Sequence, residues 1–166
     1  MQQNIVKSAL RNFHIVGLLL SLKFILTAQK FGIFASFAII VSIILVFVLY
    51  MMGVHYRDNE NDGSIKYGKA FSYIFLIYFF GSIVSSIVIL IYTSFIDTNY
   101  LGSLLDEVLK IYDSMKIPID NRYYSIFQTL YKPIPFSSLN VFFSIIGGAF
   151  WALILASFVK KTEKQF

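Results

Sequence analysis

The chain contains no cysteine. Disulfides, thiolate metal sites and cysteine nucleophiles are therefore excluded. Charge is scarce as well. Asp, Glu, Lys and Arg make up 14% of the residues, against about a quarter in soluble domains. No Asp or Glu falls within the long apolar runs. A small proton-coupled exporter needs a buried carboxylate as its proton carrier, and these runs offer none. They carry no arginine ladder for sensing voltage, and the two halves of the chain show no inverted repeat. No serine stands in a recognisable arrangement with a histidine and an acid, so hydrolase chemistry has no support.

What fills the chain is apolar: 57% of the residues, including 18 Phe and 11 Tyr. A 166-residue soluble domain has too small a core to hide that surface, so its solvent must be largely lipid. A bilayer core takes about 20 apolar residues in helical form. The segments 31–54, 71–96 and 136–159 are long enough and carry no charge. Segment 13–28 is weaker, because His14 and Lys23 lie in it. Lys7 and Arg11 could begin a signal peptide ending at Ala28. Leu26, however, stands where cleavage wants a small residue, so an uncleaved span is the expectation. The fold class expected is all-α: an integral membrane four-helix bundle forming one domain over 1–166, with one or two short amphipathic helices in a loop at 97–135.

Lys and Arg set orientation. Lys7, Arg11, Arg57, Lys66, Lys69, Lys160, Lys161 and Lys164 share one side, whereas Lys30, Lys110, Lys116, Arg122 and Lys132 share the other. The richer side holds both termini and the 55–70 loop. The expectation is a bacterial inner membrane with that side cytoplasmic and the 97–135 loop outside. The formal charge of +5 then reports anchoring and not nucleic-acid binding.

The 55–70 loop begins like a calcium site, with Asp58, Glu60 and Asp62 at alternate positions before Gly63. An EF-hand needs a bidentate Glu at its twelfth position. Here Lys69 occupies it and Lys66 the ninth, so cations stand where a cation should bind. Turn chemistry explains the stretch better. Asn61-Asp62-Gly63 suits a turn, and Ser64 is placed to cap a helix entering the third span. Lys66 and Lys69 would lie on one face of that helix, towards anionic headgroups.

The same stretch resembles a family. Tyr56-Arg57, the turn at Gly63, and then Ile65, Tyr67, Gly68, Lys69, Ala70 and Phe71 entering a span are similar to the signature of the domain of unknown function 4199 family, small four-span membrane proteins of Bacteroidota. Ile96-Asp97 followed by Tyr100 resembles a second family feature, and Ser64 replaces a glycine common in the turn. The resemblance implies four spans and a long loop before the last. It implies no activity, cofactor or catalytic residue.

Other features suggest contacts. Residues 101–116 carry an apolar stripe through Leu104, Leu105, Val108, Ile111, Tyr112 and Met115, with Ser103 and Asp106 resembling a capping box. A second short helix is expected at 121–130, crowded with Tyr123, Tyr124 and Phe127. Small residues recur four apart: Gly17 and Ser21, Gly32 and Ser36, Gly81 and Ser85, and, in the last span, Ser144, Gly148, Ala152 and Ala156. That spacing lets helices approach closely in lipid. It suits packing within the bundle, and in the last span also a homodimer seam. Lys23, Asp97 and Asn140 could line an outward polar pocket; alternatively Lys23 snorkels to headgroups and Asn140 bonds a neighbouring helix. His14 and His55 lack a third ligand at a fixed spacing, so no metal is expected. The reading is a non-enzymatic membrane protein without a cofactor. Its partners would be lipid, a second copy through the last span, or a protein at the outer loop. The alternative is a transporter or pore for a small or amphipathic solute.

Overall fold

A computed structural model describes residues 4–29 and 32–161 of the chain. Lys30, Phe31 and Lys164, used above for orientation and span bounds, lie outside the described residues. The elements in order are α1 (Ile5–Ala28), α2 (Gly32–Glu60), α3 (Tyr67–Ile91), a π-helical turn (Tyr92–Ile96), α4 (Tyr100–Ser114), α5 (Asn121–Leu130) and α6 (Pro133–Val159). Among the described residues there is no strand, only one antiparallel bridge between Ile65 and Lys161. The fold is an all-α helical bundle. Four helices, Ile5–Ala28, Gly32–Glu60, Tyr67–Ile96 and Pro133–Val159, are long and apolar enough to cross a membrane, as expected for a multi-pass membrane protein.

The chain divides into two compact units, 1–85 with 141–166, and 86–140. In the first unit the core comes from all four long helices. It includes Val16 and Leu20 of α1, Leu45 and Leu49 of α2, Ile74 and Ile77 of α3, and Ala152 and Val159 of α6. Close approaches set the packing. A Cβ on Gly81 would stand 2.8 Å from Val16 and 3.0 Å from the Gly17 nitrogen, and one on Gly148 would stand 2.7 Å from the Tyr78 ring. Glycine is required there for space, because helices in lipid associate through close backbone contact. Gly32 meets nothing within 4 Å, so the Gly32–Ser36 pair gains no such contact through its glycine.

Several boundaries differ from the sequence reading. Helix α2 does not stop near residue 54; it runs on to Glu60. Hydropathy marks where lipid ends, whereas the helix continues as long as its backbone bonds are satisfied. The turn is thereby compressed to 61–66, with Asp62 at φ 52° and Gly63 at φ 76°. Ser64 is not the cap of α3. The helix begins at Tyr67, and the Lys66 carbonyl receives the amides of Lys69 and Ala70, both at 3.1 Å. Lys66 therefore stands before the helix, off any face shared with Lys69.

In the second unit α3 ends in a π-helical turn. The buried Thr93 hydroxyl donates to the Ile89 carbonyl at 2.9 Å, and the Asp97 amide reaches five residues back to Tyr92 at 2.9 Å. A hydroxyl competing for a ladder carbonyl is a common cause of such a bulge. Ser103 does not cap α4, because that helix starts at Tyr100 and Ser103 already donates its amide to the Asn99 carbonyl at 2.9 Å. Helix α5 keeps its expected bounds, and its cap is Asp120, whose side chain accepts from the Arg122 amide. Helix α6 starts at Pro133 and not at 136. Proline is tolerated in a first turn because those amides have no helical partner anyway. The Ser86 hydroxyl holds α3 to α6 by donating to the Ser137 carbonyl at 2.6 Å.

Candidate functional site

The densest polar network gathers at the end of the first unit that holds the 55–71 stretch. Helix α2, by continuing to Glu60, carries Tyr56 and Arg57 and, one turn later, Glu60. Tyr56 is buried, and its ring stacks on Tyr73 of α3 at 3.9 Å and 8°. Glu60 receives the Ser8 hydroxyl and the Arg11 guanidinium, both from α1. Its side chain is only 5% exposed, whereas that of Arg11 is 58% exposed. Asn12 completes the α1 side by donating to the Tyr73 hydroxyl at 3.0 Å. The Tyr56 hydroxyl is buried and meets no hydrogen-bond partner in good geometry among the described residues.

Helix α6 closes the same end. Arg57 forks over its neighbour Asp58 at 2.7 and 3.1 Å and also donates to the Val159 carbonyl at 3.2 Å. That carbonyl lies in the last turn of α6, where orphan acceptors need donors. Ile65 and Lys161 exchange backbone bonds at 2.8 and 3.1 Å, and the Tyr67 hydroxyl donates to the Leu153 carbonyl at 3.0 Å. The Asn61 amide side chain donates to the Tyr56 carbonyl at 2.8 Å. Most of the motif residues thus fasten helices: Tyr56, Arg57, Ile65 and Tyr67 by direct bonds or stacking, Ala70 by full burial, and Gly63 by its left-handed turn. Phe71 stacks on Phe75 at 5.9 Å. Gly68 faces open space, and Lys69 contributes a backbone bond.

The arrangement is a clasp of charge-assisted hydrogen bonds, with the Ser8 hydroxyl and the Arg11 guanidinium converging on the Glu60 carboxylate. The acids that imitate a calcium loop diverge. Asp58 turns to Arg57, Glu60 turns to Arg11, and Asp62 is exposed. Among the described residues no group of three or more His, Cys, Asp or Glu could hold a metal ion. Sequence reading missed Ser8, Arg11, Asn12, Glu60 and Tyr73 as a group. A usable signal existed: polar residues at 8, 11 and 12 share one helical face, and so do Tyr56 and Glu60.

The three polar-pocket residues are spread over the two units. Lys23 lies on α1 in the first unit and is exposed, while its carbonyl takes the Thr27 hydroxyl at 2.8 Å. Asp97 and Asn140 belong to the second unit and are half-buried. Asp97 follows the π-helical turn and accepts from the Asn99 amide at 3.2 Å. Nearby, burial pushes the Tyr100 phenol above its ordinary range, with Tyr92 and Glu107 adding to the effect, so it stays neutral. In α6, Gly148, Ala152 and Ala156 are buried within the single chain, and Gly148 is covered by Tyr78. A second copy meeting the last span would have to use another face of that helix.

The second unit presents the opposite picture. No residue of α5 is buried. Ile111, Met115 and Ile117, at and beyond the end of α4, and Tyr123, Tyr124 and Ile126 of α5 are all exposed. Tyr112 and Phe127 meet at 5.8 Å.

No curated protein and no solved structure matches the chain. A family model does match, described as "Protein of unknown function (DUF4199)", over residues 14–161. This stretch holds the 56–71 motif and the long helices apart from the start of α1, where Ser8, Arg11 and Asn12 lie, and the chain belongs to that family.

Proposed function

We propose that this chain is a non-enzymatic protein of the bacterial inner membrane that acts by contact, with the exposed α4–α5 face receiving a protein partner. The termini and the clasp lie on the cytoplasmic side, and α4 and α5 lie outside. The observation that carries the reading is that no residue of α5 is buried and that its Tyr123, Tyr124 and Ile126 are exposed. Aromatic and large aliphatic side chains that a chain leaves uncovered commonly mark binding surfaces. The clasp supports the same reading, because Ser8, Arg11 and Glu60 are engaged with one another across helices and fasten the bundle.

The test is a photo-reactive amino acid at Tyr124 in living cells. The expected result is a discrete protein adduct that disappears in the Ile126→Asp variant and is absent when the probe sits at Ser138. Adducts with lipid alone would mean that α5 merely rests in the headgroups, and the partner reading would fail. A Lys23→Leu variant that inserts normally but loses solute flux would move the protein to the transporter reading.

A further inference from the structure

Between α2 and α6 runs an open groove of about 460 Å³, lined by Ile39, Ile43, Phe47 and Tyr50 on one side and by Trp151 and Leu155 on the other. Its walls offer little to a polar ligand. The Ser42 hydroxyl, also in the lining, already donates to the Ala38 carbonyl at 2.9 Å. Ile39 to Tyr50 is about 16 Å of helix at roughly 1.5 Å per residue, close to one leaflet of a hydrocarbon core about 30 Å thick. The groove closes towards the clasp, where a Cβ on Gly53 would stand 2.9 Å from Val159 and where Arg57 donates to the Val159 carbonyl.

Two observations choose the occupant. A second helix in lipid packs best on small residues. Apart from Ser42, the groove walls are instead bulky aliphatic and aromatic side chains, while Gly53, Gly148, Ala152 and Ala156 are taken up inside the chain. Flexible chains fit such walls better than a second helix does. Charge also gathers beyond the closed end: Arg57, Lys160 and Lys161 stand there with Asp58, and both lysines are exposed. Lys160 is five residues past Leu155, just beyond the end of α6 and about 7 Å further on. Phosphates of anionic lipids are drawn to basic residues at this depth.

We propose that the groove seats one acyl chain of an anionic glycerophospholipid whose phosphate lies against Lys160 and Lys161. The site is distinct from the α4–α5 face and does not depend on it.

Trp151 is the single tryptophan of the chain, so its fluorescence reports the groove directly. The full-length protein is reconstituted in phosphatidylcholine vesicles containing a minor fraction of phosphatidylglycerol. Bromine is placed on the acyl chains of one lipid or the other. The expected result is that brominated phosphatidylglycerol quenches Trp151 with an apparent affinity at least about fivefold above brominated phosphatidylcholine at equal fraction. The Lys160→Ala/Lys161→Ala protein loses that preference. Its fold is retained, because the bridge to Ile65 uses only the Lys161 backbone. Filling the groove with Ile43→Phe lowers quenching by both lipids. Equal quenching by both in the unaltered protein would overturn the site and leave ordinary boundary lipid. A preference that survives the double substitution would overturn the lysine assignment. Absence of quenching, together with cross-linking of an Ile43→Cys protein to itself, would place a second copy in the groove instead.

Discussion

The clasp end of the first unit and the α4–α5 segment of the second contain similar kinds of residue. Both mix tyrosines, acids and bases, yet they use them in opposite ways. At the clasp, hydrogen bonds run between elements far apart in sequence: Ser8 and Arg11 to Glu60, Asn12 to Tyr73, Arg57 to Val159 and Tyr67 to Leu153. In α4 and α5, hydroxyls bond within their own helices, as Ser114 does to Ile111, Ser125 to Arg122 and Thr129 to Ser125. The difference is one of burial. A polar group removed from water must find a partner wherever the fold puts one, whereas an exposed group is satisfied by water or by its own backbone. The first region therefore holds helices together, whereas the second leaves its apolar and aromatic side chains uncovered.

Substitutions can break or sharpen this contrast, with stability followed by reversible detergent unfolding in mixed micelles. The largest effect is expected from Arg11→Ala, which strands a Glu60 carboxylate that is 5% exposed and should cost about 3 kcal/mol. The reverse change, Glu60→Gln, leaves an Arg11 that solvent already reaches and should cost about 1 kcal/mol. Equal costs for the two would show that burial does not govern the pair. Next comes Gly81→Ala, whose added methyl would collide with Val16 and the Gly17 backbone; a loss of about 2 kcal/mol is expected. Gly32→Ala, with nothing in reach, serves as its silent counterpart. Tyr56→Phe removes a buried hydroxyl that meets no partner in good geometry among the described residues and should leave stability unchanged or raise it by about 1 kcal/mol; a clear loss would show that the oxygen is hydrogen-bonded in the membrane. The smallest effect belongs to α5, where Ile126→Ser should move stability by less than about 0.5 kcal/mol while weakening partner capture at Tyr124.

Some of this was legible in the residues. The apolar runs gave the four long helices, because the bilayer demands both length and apolarity. Asn121–Leu130 was readable as a short helix with its bounds intact. The turn at Asn61-Asp62-Gly63 was likewise readable, since positive φ is a local property. The errors fall where local signals compete. Ser64 and Ser103 both look like caps, yet Lys66 and Asn99 stand at the helix starts, because backbone bonds already formed upstream decide which residue is left at the end. Helix α2 overran its apolar segment because Tyr56, Arg57 and Glu60 each find partners on neighbouring elements, and those bonds extend helical order past the lipid.

The sequence by itself determined that this is a multi-pass helical membrane protein, because transfer of apolar segments into lipid depends only on composition and length. The 56–71 motif marked the family for the same reason: it is a local string. Only the tertiary structure decided what that motif does. Glu60 serves as an anchor for α1 and not as a calcium ligand because helix α2 carries it beside Ser8 and Arg11, and no spacing rule along the chain specifies which buried acid meets which base across a bundle.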